Sequence, residues 1–208
     1  MTATGPLSTV QDLGRPGFAH LGVPRSGAAD LPSFALANRL VGNHPHAAAV
    51  EVTLGGWSAR ARGGLLVAVT GPPTRVRVDG VEVGSHGAVR VADGELIEVL
   101  APARGVRNYV AVRGGVDVPP ELDSRSTDTL SGLGPPPLHP GDVLAVGRDD
   151  DEWPAAEFAP VGSLPDVTEL IAAPGPRHHR LVDLGSLAIG RWTVAAASNR
   201  VGVRLHRD

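Results

Sequence analysis

Apolar and polar residues alternate with a period of two through much of the chain between residues 50 and 147. Such a period places successive side chains on opposite faces of a strand. We predict strands in VEVTL, LLVAVTG, RVRVDGVEV, GAVRVADGELIEVLA, RNYVAVRGG and DVLAVG. Asp79-Gly80 lies between two alternating arms and predicts a hairpin turn, and Asp93-Gly94 predicts a second turn. So many short strands indicate a mainly β fold, an antiparallel barrel or sandwich.

A helical period replaces this alternation in the segment LPSFALANRLVGN, which begins at Leu31. Asp30 is placed to cap the N-terminus of a helix, and Pro32 suits its first turn. Gly42-Asn43 predicts the end of the helix. The apolar stripe consists of Phe34, Leu36, Ala37, Leu40 and Val41.

The chain after residue 147 has a different character. Residues 149–165 combine an acidic run with prolines, which is typical of a linker. Beyond it we predict a strand in VTELIAAPGPRHH, a short helical segment over residues 181–189, and strands in WTVAA and RVGVRL. Roughly forty residues are too few for an independent domain without staples. We therefore predict an N-terminal β-barrel subdomain over residues 1–160 and the beginning of a second, incomplete subdomain over residues 161–208.

Charge and composition exclude several classes of function. The 208-residue chain has a formal net charge of −3, which disfavours a general nucleic-acid binder. It contains no Cys, which excludes a disulfide framework, a zinc–thiolate site and a Cys nucleophile. The basic residues are all Arg. Without Lys, this chain offers no Schiff-base Lys, no phosphate-loop Lys and no site for covalent biotin.

The sequence shows no signal for a membrane span or a metal site. The longest purely apolar run, residues 65–69, is too short to span a bilayer, and the opening residues do not resemble a signal peptide. We therefore expect a cytoplasmic protein. His44 and His46, like His178 and His179, lack the helical spacing of a two-His site and a third ligand, so no metal site is predicted.

Candidate chemistry concentrates at residues 11–56, where polar and charged residues lie among many glycines. Glycines let backbone N–H groups approach a ligand closely. Arg offers a forked donor to a carboxylate or phosphate, and a neighbouring carboxylate can orient water or accept a proton. Ser26, His20 and Asp30 are residue types of a hydrolytic triad, but no G-x-S-x-G elbow is present. The candidate site residues are Gln11, Asp12, Arg15, Ser26, Asp30, Asn38 and Arg39.

Structural roles are the alternative for several of these residues. Asp12 and Arg15 could form a structural ion pair, and Asp30 could serve only as the helix cap. Asn38 and Arg39 are neighbours on the predicted helix and point in different directions. At most one of these two residues is therefore expected to face a given ligand.

The local strings acquire more meaning when they are taken together. The chain contains, in this order, STVQDLGRPG, HLGVPRSGAAD, LANRLVGN, VEVTLGG, YVAVRGGVDVP, SRST and HPGDVL. This series resembles the KipA family, which is also described as the C subunit of bacterial 5-oxoprolinase. The same domain is called allophanate hydrolase subunit 2 or the carboxyltransferase domain of urea carboxylase. PGPRHH and SNRVGVRL look like the start of the second half of the family's domain.

The resemblance implies a fold, a reaction and partners. The fold would be two cyclophilin-like antiparallel β-barrel subdomains with few short helices. The reaction would be the ATP-dependent opening of 5-oxoproline to L-glutamate, with ATP bound by this chain or mainly by a partner. The partners would be a KipI-like protein, the B subunit of the enzyme, and a LamB/YcsF-like protein, its A subunit. Phosphorylation of the carbonyl oxygen would make the carbon of this ring amide more electrophilic.

The resemblance also implies roles for the candidate residues. Asp12 and Asp30 are the expected catalytic residues, which would position water or accept a proton. Arg15 or Arg39 would bind the anion of the substrate or a phosphate. The expected substrate-binding residues are Gln11, Arg15, Ser26, Asn38 and Arg39.

The chain departs from the family pattern at several points. Ala29 stands where members usually carry Met, and Asn199 stands where they usually carry Asp. Members also run further, through a DRQTTGGYP-like string. If that segment closes the second barrel, its lack would leave strand edges and core exposed. We therefore expect aggregation or partner-dependent solubility when the chain is expressed alone.

Two other functions stay open on the sequence. One is a biotin-dependent carboxyltransferase that acts on a urea-like substrate, with the biotin carrier and the ATP-binding half on other polypeptides. The other is a non-catalytic regulator that binds a KipI-like partner. Turnover of 5-oxoproline by the chain with its partners would distinguish the first interpretation from both alternatives.

Overall fold

A computed structural model describes residues 1–148, 153–154, 156–162, 165–171, 173–180, 183, 185 and 189–207. The chain divides into two compact units, Met1–Leu164 and Pro165–Asp208. The fold is mainly β with antiparallel strand pairs, as predicted. The predicted boundary between residues 160 and 161 stays a prediction. In the described part of the chain, no helix combines the length and the apolar character needed to cross a bilayer.

The first unit contains two five-stranded antiparallel sheets. In chain order its strands are β1 (Ala3–Thr4), β2 (Leu7–Gln11), β3 (Ala49–Thr53), β4 (Trp57–Arg60), β5 (Leu65–Thr70), β6 (Val76–Val78), β7 (Val81–Glu82), β8 (Ala88–Val91), β9 (Leu96–Val99), β10 (Arg107–Val112), β11 (Val116–Asp117) and β12 (Ala145–Val146). One sheet has the order β1-β4-β9-β6-β7, and the other has the order β2-β3-β10-β5-β8. β11 and β12 form a separate antiparallel pair. Among the described residues, no strand pairing closes either five-stranded sheet on itself.

Apolar clusters cover both faces of the second sheet, and the side chains of β10 point alternately into one cluster and the other. Val110 packs into a valine-rich core that also receives Val76 and Val99 of the first sheet. Tyr109 and Ala111 point the other way and pack into a second apolar cluster with the helix α1 (Leu31–Leu40). Because successive side chains alternate between the two faces, β10 contributes to both clusters.

Helix α1 begins and ends close to where the sequence predicts. Asp30 is the N-cap, and its Oδ1 accepts a hydrogen bond from the backbone N–H of Ser33 at 3.1 Å. Pro32 lies in the first turn, where its missing N–H costs nothing. The helix ends at Leu40, and Gly42 follows with a φ of 70°. The predicted cap, first turn and stop signal are confirmed.

The two predicted Asp-Gly turns have different outcomes. Asp79 and Gly80 both have positive φ and join β6 to β7 as a hairpin, which confirms the prediction. Asp93-Gly94 also forms a turn, but β8 pairs with β5 and β9 pairs with β4 and β6, so the turn joins the two sheets instead of closing a hairpin. The N–H of Gly94 donates a hydrogen bond to the carbonyl of Ala61, the residue after β4. The sequence did not predict β4 as a strand.

The second unit contains the antiparallel pair β13 (Trp192–Val194) and β14 (Leu205–Arg207). This pair confirms two strands near the end of the chain, with β14 lying further along than predicted. The predicted strand at residues 167–171 is wrong, because these residues form no strand and Leu170 and Ile171 are exposed. The acidic run at residues 149–152 and most of the predicted helical segment at residues 181–189 lie outside the described residues.

Candidate functional site

A pocket of about 310 Å³ opens at the N-terminus of α1. Its walls come from the start of the helix, from the turn after β5, from the loop before β10 and from a stretch near residue 161. The lining residues are Ala29, Asp30, Ser33, Gly71, Pro72, Pro73, Gly105, Val106, Arg107, Val161 and Gly162. The pocket thus combines prolines and small apolar groups with a carboxylate, a hydroxyl and a guanidinium.

Asp30 brings the predicted catalytic carboxylate to this pocket. Its Oδ2 accepts a hydrogen bond from the Ser33 hydroxyl at 2.6 Å, and its Oδ1 accepts the cap bond from the Ser33 N–H. The residue is partly exposed. Because each carboxylate oxygen can accept more than one bond, Asp30 can cap the helix and still receive an N–H or O–H from a ligand.

Arg107 is the one cationic residue among the lining residues, all of which the structure describes. It opens β10, and its side chain is 21% exposed, with Nε 3.5 Å from Oε1 of Glu51. Sequence reasoning missed this residue. The available signal was the alternation in RNYVAV, which places Arg107 on the same face as Tyr109 and Ala111, the face that packs under α1.

Glu51 and Tyr109 lie directly behind the pocket. Glu51 is 1% exposed, and its Oε2 accepts hydrogen bonds from the Tyr109 hydroxyl and from the Ala29 N–H, both at 2.9 Å. The Tyr109 hydroxyl in turn accepts the N–H of Asp30 at 2.7 Å. Burial, and then the charge of Glu51, raises the pKa of Tyr109 far above its ordinary value, so the phenol stays protonated.

Asp12 belongs to a different, buried network that joins distant parts of the sequence. Its Oδ1 accepts hydrogen bonds from the hydroxyls of Ser124 at 2.7 Å and Ser126 at 2.5 Å, and from the N–H of Gly14 at 2.7 Å. Its Oδ2 accepts the N–H of Arg125 at 2.6 Å. Asp12 therefore ties the opening segment to the SRST string, residues 124–127, that carries part of the family resemblance.

Arg15 and Ser26 belong to the same network. Arg15 is 1% exposed and donates to the Ser126 carbonyl at 2.5 Å and to the Ser26 hydroxyl at 3.0 Å. Ser26, which has a φ of 56°, donates its hydroxyl to Asp128 at 2.6 Å. Burial raises the pKa of Asp128, but hydrogen bonds from Ser26 and from two backbone N–H groups outweigh it and lower that pKa. Asp12, which the sequence suggested as an ion partner of Arg15, instead accepts hydrogen bonds from serine hydroxyls and backbone N–H groups.

The triad residues are held by separate partners. The His20 ring lies 3.0 Å from the Gly17 carbonyl on an exposed turn, whereas Ser26 bonds to Asp128 and Asp30 caps α1. The described contacts therefore give Ser26 a carboxylate neighbour and a guanidinium neighbour, but not the histidine that a triad uses as base.

The three other candidate residues lie outside the pocket lining. Gln11 is buried and donates to Thr9 and to the Thr127 carbonyl. Asn38 is buried under the helix, where it donates to the Ala47 carbonyl and accepts from Asn43. Arg39 lies on the exposed face of α1.

His86 is a further buried polar residue that the sequence did not single out. It is 5% exposed, has a φ of 65°, and places Nδ1 3.0 Å from the Ser85 hydroxyl. Its carbonyl accepts the N–H of Ala159, two residues before the pocket residue Val161. Burial lowers the pKa of His86, against a smaller opposing effect of a hydrogen bond with the backbone of Gly71, another pocket residue.

Known proteins share this fold and much of this sequence. Residues 21–208 match the family described as "Carboxyltransferase domain, subdomain A and B". The chain belongs to this family. It is also 35% identical over 206 residues to the C subunit of 5-oxoprolinase from Escherichia coli, a match that covers 97% of this chain and 66% of that protein. The predicted family membership is confirmed.

Two more comparisons extend the match. Urea amidolyase of Saccharomyces cerevisiae is 34% identical over 221 residues, which cover 99% of this chain and 12% of that protein. The crystal structure of TTHA0988 aligns with a TM-score of 0.86 at 35% identity, over 98% of this chain and 75% of that chain. The chain thus spans 66% of the length of the Escherichia coli protein and a much smaller part of the yeast protein.

Proposed function

We propose that this chain is one component of an ATP-dependent 5-oxoprolinase, which opens 5-oxoproline to L-glutamate. The observation that carries the proposal is the 35% identity to the C subunit of 5-oxoprolinase over 97% of the chain. The pocket at the start of α1 is the site that we assign to the substrate. Its volume of about 310 Å³ lies at the lower end of the range for small-molecule sites, about 300–1,000 Å³, and suits a small ring.

The groups of the pocket complement those of 5-oxoproline. The substrate carries a carboxylate, a ring N–H and a ring carbonyl. Arg107 would bind the carboxylate, because a guanidinium offers a forked donor of the opposite charge. Asp30 would accept the ring N–H and later position water or take up a proton. In this assignment Arg107 takes the anion-binding role that the sequence suggested for Arg15 or Arg39.

Four of the remaining candidate residues, Gln11, Asp12, Arg15 and Ser26, have a supporting role in the proposal. Asp12, Arg15 and Ser26 hold the opening segment against residues 124–128. Gln11 donates a hydrogen bond to the carbonyl of Thr127 in the same segment. Their contacts fix the backbone that leads into Ala28, Ala29 and α1. We therefore expect substitutions of these residues to lower the free energy of unfolding more than they lower substrate affinity.

We propose that a partner protein supplies most of the ATP-binding site. A triphosphate needs several positive or N–H donor groups, and the pocket offers Arg107 as its cation. The chain has no Lys that could serve in a phosphate loop. The proposed partners are the KipI-like B subunit and the LamB/YcsF-like A subunit, which together with this chain would complete the enzyme.

The test is reconstitution of the three proteins. We expect ATP hydrolysis that depends on 5-oxoproline and on all three chains, with glutamate as the product. Omission of this chain should abolish the coupled reaction. Capture of the partners without turnover would overturn the enzymatic proposal and favour a binding role.

A second candidate is the carboxyltransferase part of a urea-metabolising enzyme. The family description and the match to urea amidolyase over 99% of the chain favour it. Biotin would then be carried outside these 208 residues, since they contain no Lys. Urea and 5-oxoproline discriminate between the candidates: biotin-dependent turnover of urea in place of 5-oxoproline would support the carboxyltransferase. Urea has no carboxylate, so Arg107 would then have no anion of the substrate to bind.

A further inference from the structure

Glu51 is a buried carboxylate that contacts lining residues of the pocket but does not itself line it. Glu51 and Tyr109 face each other in the register of β3 and β10. They are 1% and 0% exposed. A buried carboxylate is unfavourable unless it is paired and hydrogen-bonded, so the contacts of Glu51 are informative about its role.

These contacts reach three residues of the pocket wall. Oε2 of Glu51 accepts the N–H of Ala29 and the hydroxyl of Tyr109, and that hydroxyl accepts the N–H of Asp30. Oε1 faces the Nε of Arg107 at 3.5 Å. The two oxygens of one carboxylate thus connect the turn before α1 with the first residue of β10. Ala29, Asp30 and Arg107 all line the pocket.

We propose that Glu51, acting with Tyr109, is a positioning residue that holds the Arg107 guanidinium and the Ala29–Asp30 backbone in place without touching the ligand. Its charge holds Arg107 in the pocket wall, and its Oε2 fixes the turn that presents Asp30. The effect on ligand binding rests on the proposed function. The coupling of Glu51 to Tyr109 and Arg107 is independent of the identity of the ligand.

The first test uses Tyr109 as a spectroscopic probe, since it is the single Tyr of the chain. E51Q keeps an oxygen acceptor for Ala29 and Tyr109 and removes the charge. In the wild type, tyrosinate absorbance should appear only when far-UV circular dichroism shows alkaline unfolding. In E51Q it should appear about one pH unit or more before unfolding, because a neighbouring negative charge no longer opposes ionisation.

The matched control is E82Q, which neutralises an exposed carboxylate paired with Arg75 and should leave the titration unchanged. If the tyrosinate signal of E51Q still coincides with unfolding, the charge of Glu51 does not govern the ionisation of Tyr109, and the inferred coupling of these two residues is overturned. This measurement needs no substrate and no partner activity, so it tests the coupling of Glu51 to Tyr109 even if 5-oxoproline is not the ligand.

The second test is a double-mutant cycle in the reconstituted complex. E51Q should raise KM for 5-oxoproline about threefold or more, with little change in kcat, when Arg107 is present. In the R107A background, E51Q should leave KM nearly unchanged, because Glu51 acts through Arg107. Equal effects of E51Q in both backgrounds would contradict the inference. Absence of any 5-oxoproline turnover by the wild-type complex would remove the proposed function alone.

Discussion

At the scale of single residues, the buried charges of Asp12 and Arg15 are held by hydrogen-bond networks, and these two residues do not form an ion pair with each other. Asp12 accepts hydrogen bonds from two serine hydroxyls and from the backbone N–H groups of Gly14 and Arg125. Arg15 is buried against carbonyl oxygens and the hydroxyl of Ser26. Such groups are costly to disturb, because the donors and acceptors left behind stay buried and unsatisfied.

Asp12→Ala tests this interpretation of the first network. The substitution leaves several buried donors without an acceptor, so we expect a loss of about 3 kcal/mol in the free energy of unfolding. Urea denaturation followed by circular dichroism measures it. Asp117→Ala is the control, because that side chain is 60% exposed and its contact with Arg125 is 3.7 Å long. It should cost less than about 1 kcal/mol, and equal losses in the two variants would contradict the account.

At the scale of elements, local signals were predictable and long-range placement was not. The cap at Asp30 and the hairpin at Asp79-Gly80 depend on neighbouring residues, so the sequence alone identifies them. The exchange of sheets after Asp93-Gly94 depends on β4, whose pairing partners are distant in sequence. Arg107 escaped prediction for the same reason. It becomes part of a site only where β10 brings it to Glu51 and the start of α1.

The loops that enter the helix are held by a close backbone approach, which Gly27 makes possible. A Cβ at Gly27, which has a φ of +86°, would lie 2.8 Å from the backbone nitrogen of Gly14. Gly17 has a φ of +97° but nothing within 4 Å of a Cβ, so it is a matched control. In both Ala variants the positive φ should lower the free energy of unfolding by about 1 kcal/mol. Gly27→Ala should lower it by about 1–3 kcal/mol more, because its Cβ meets neighbouring backbone, and thermal denaturation measures the difference. Similar melting temperatures for the two variants would contradict the close packing of these loops.

At the scale of the whole molecule, the two five-stranded sheets, helix α1 and the loops of the first unit place the pocket beside a buried carboxylate–phenol pair. The sequence predicts the family and the mainly β fold, because ordered strings and alternation are features of the chain itself. It does not predict which charged residues meet in space. Asp30 of the candidate set lines the pocket, whereas Gln11, Asp12, Arg15 and Asn38 lie in buried networks elsewhere.

The buried His86 predicts how stability depends on pH. Its pKa in the folded state lies below the ordinary value of 6.5, so the unfolded chain binds the proton more tightly. Stability should therefore fall as pH drops through about 6.5, and the melting temperature measured from pH 7.5 to pH 5.5 should show it. His86→Asn, which tolerates positive φ, should flatten this dependence, whereas the exposed His139→Asn should not. An unchanged pH dependence in His86→Asn would contradict the assignment.

We propose that the pocket at the start of α1 binds the carboxylate of 5-oxoproline through Arg107. The most direct measurement compares R107A with R75A in the reconstituted three-protein complex, with 5-oxoproline-dependent ATP hydrolysis as the readout. Arg75 is an exposed arginine, with its side chain 57% accessible and paired with Glu82. We expect kcat/KM to fall about 100-fold in R107A, since a charged hydrogen bond to the substrate is lost, and to stay within about twofold of wild type in R75A. Normal kcat/KM in a folded R107A complex would show that the substrate binds elsewhere.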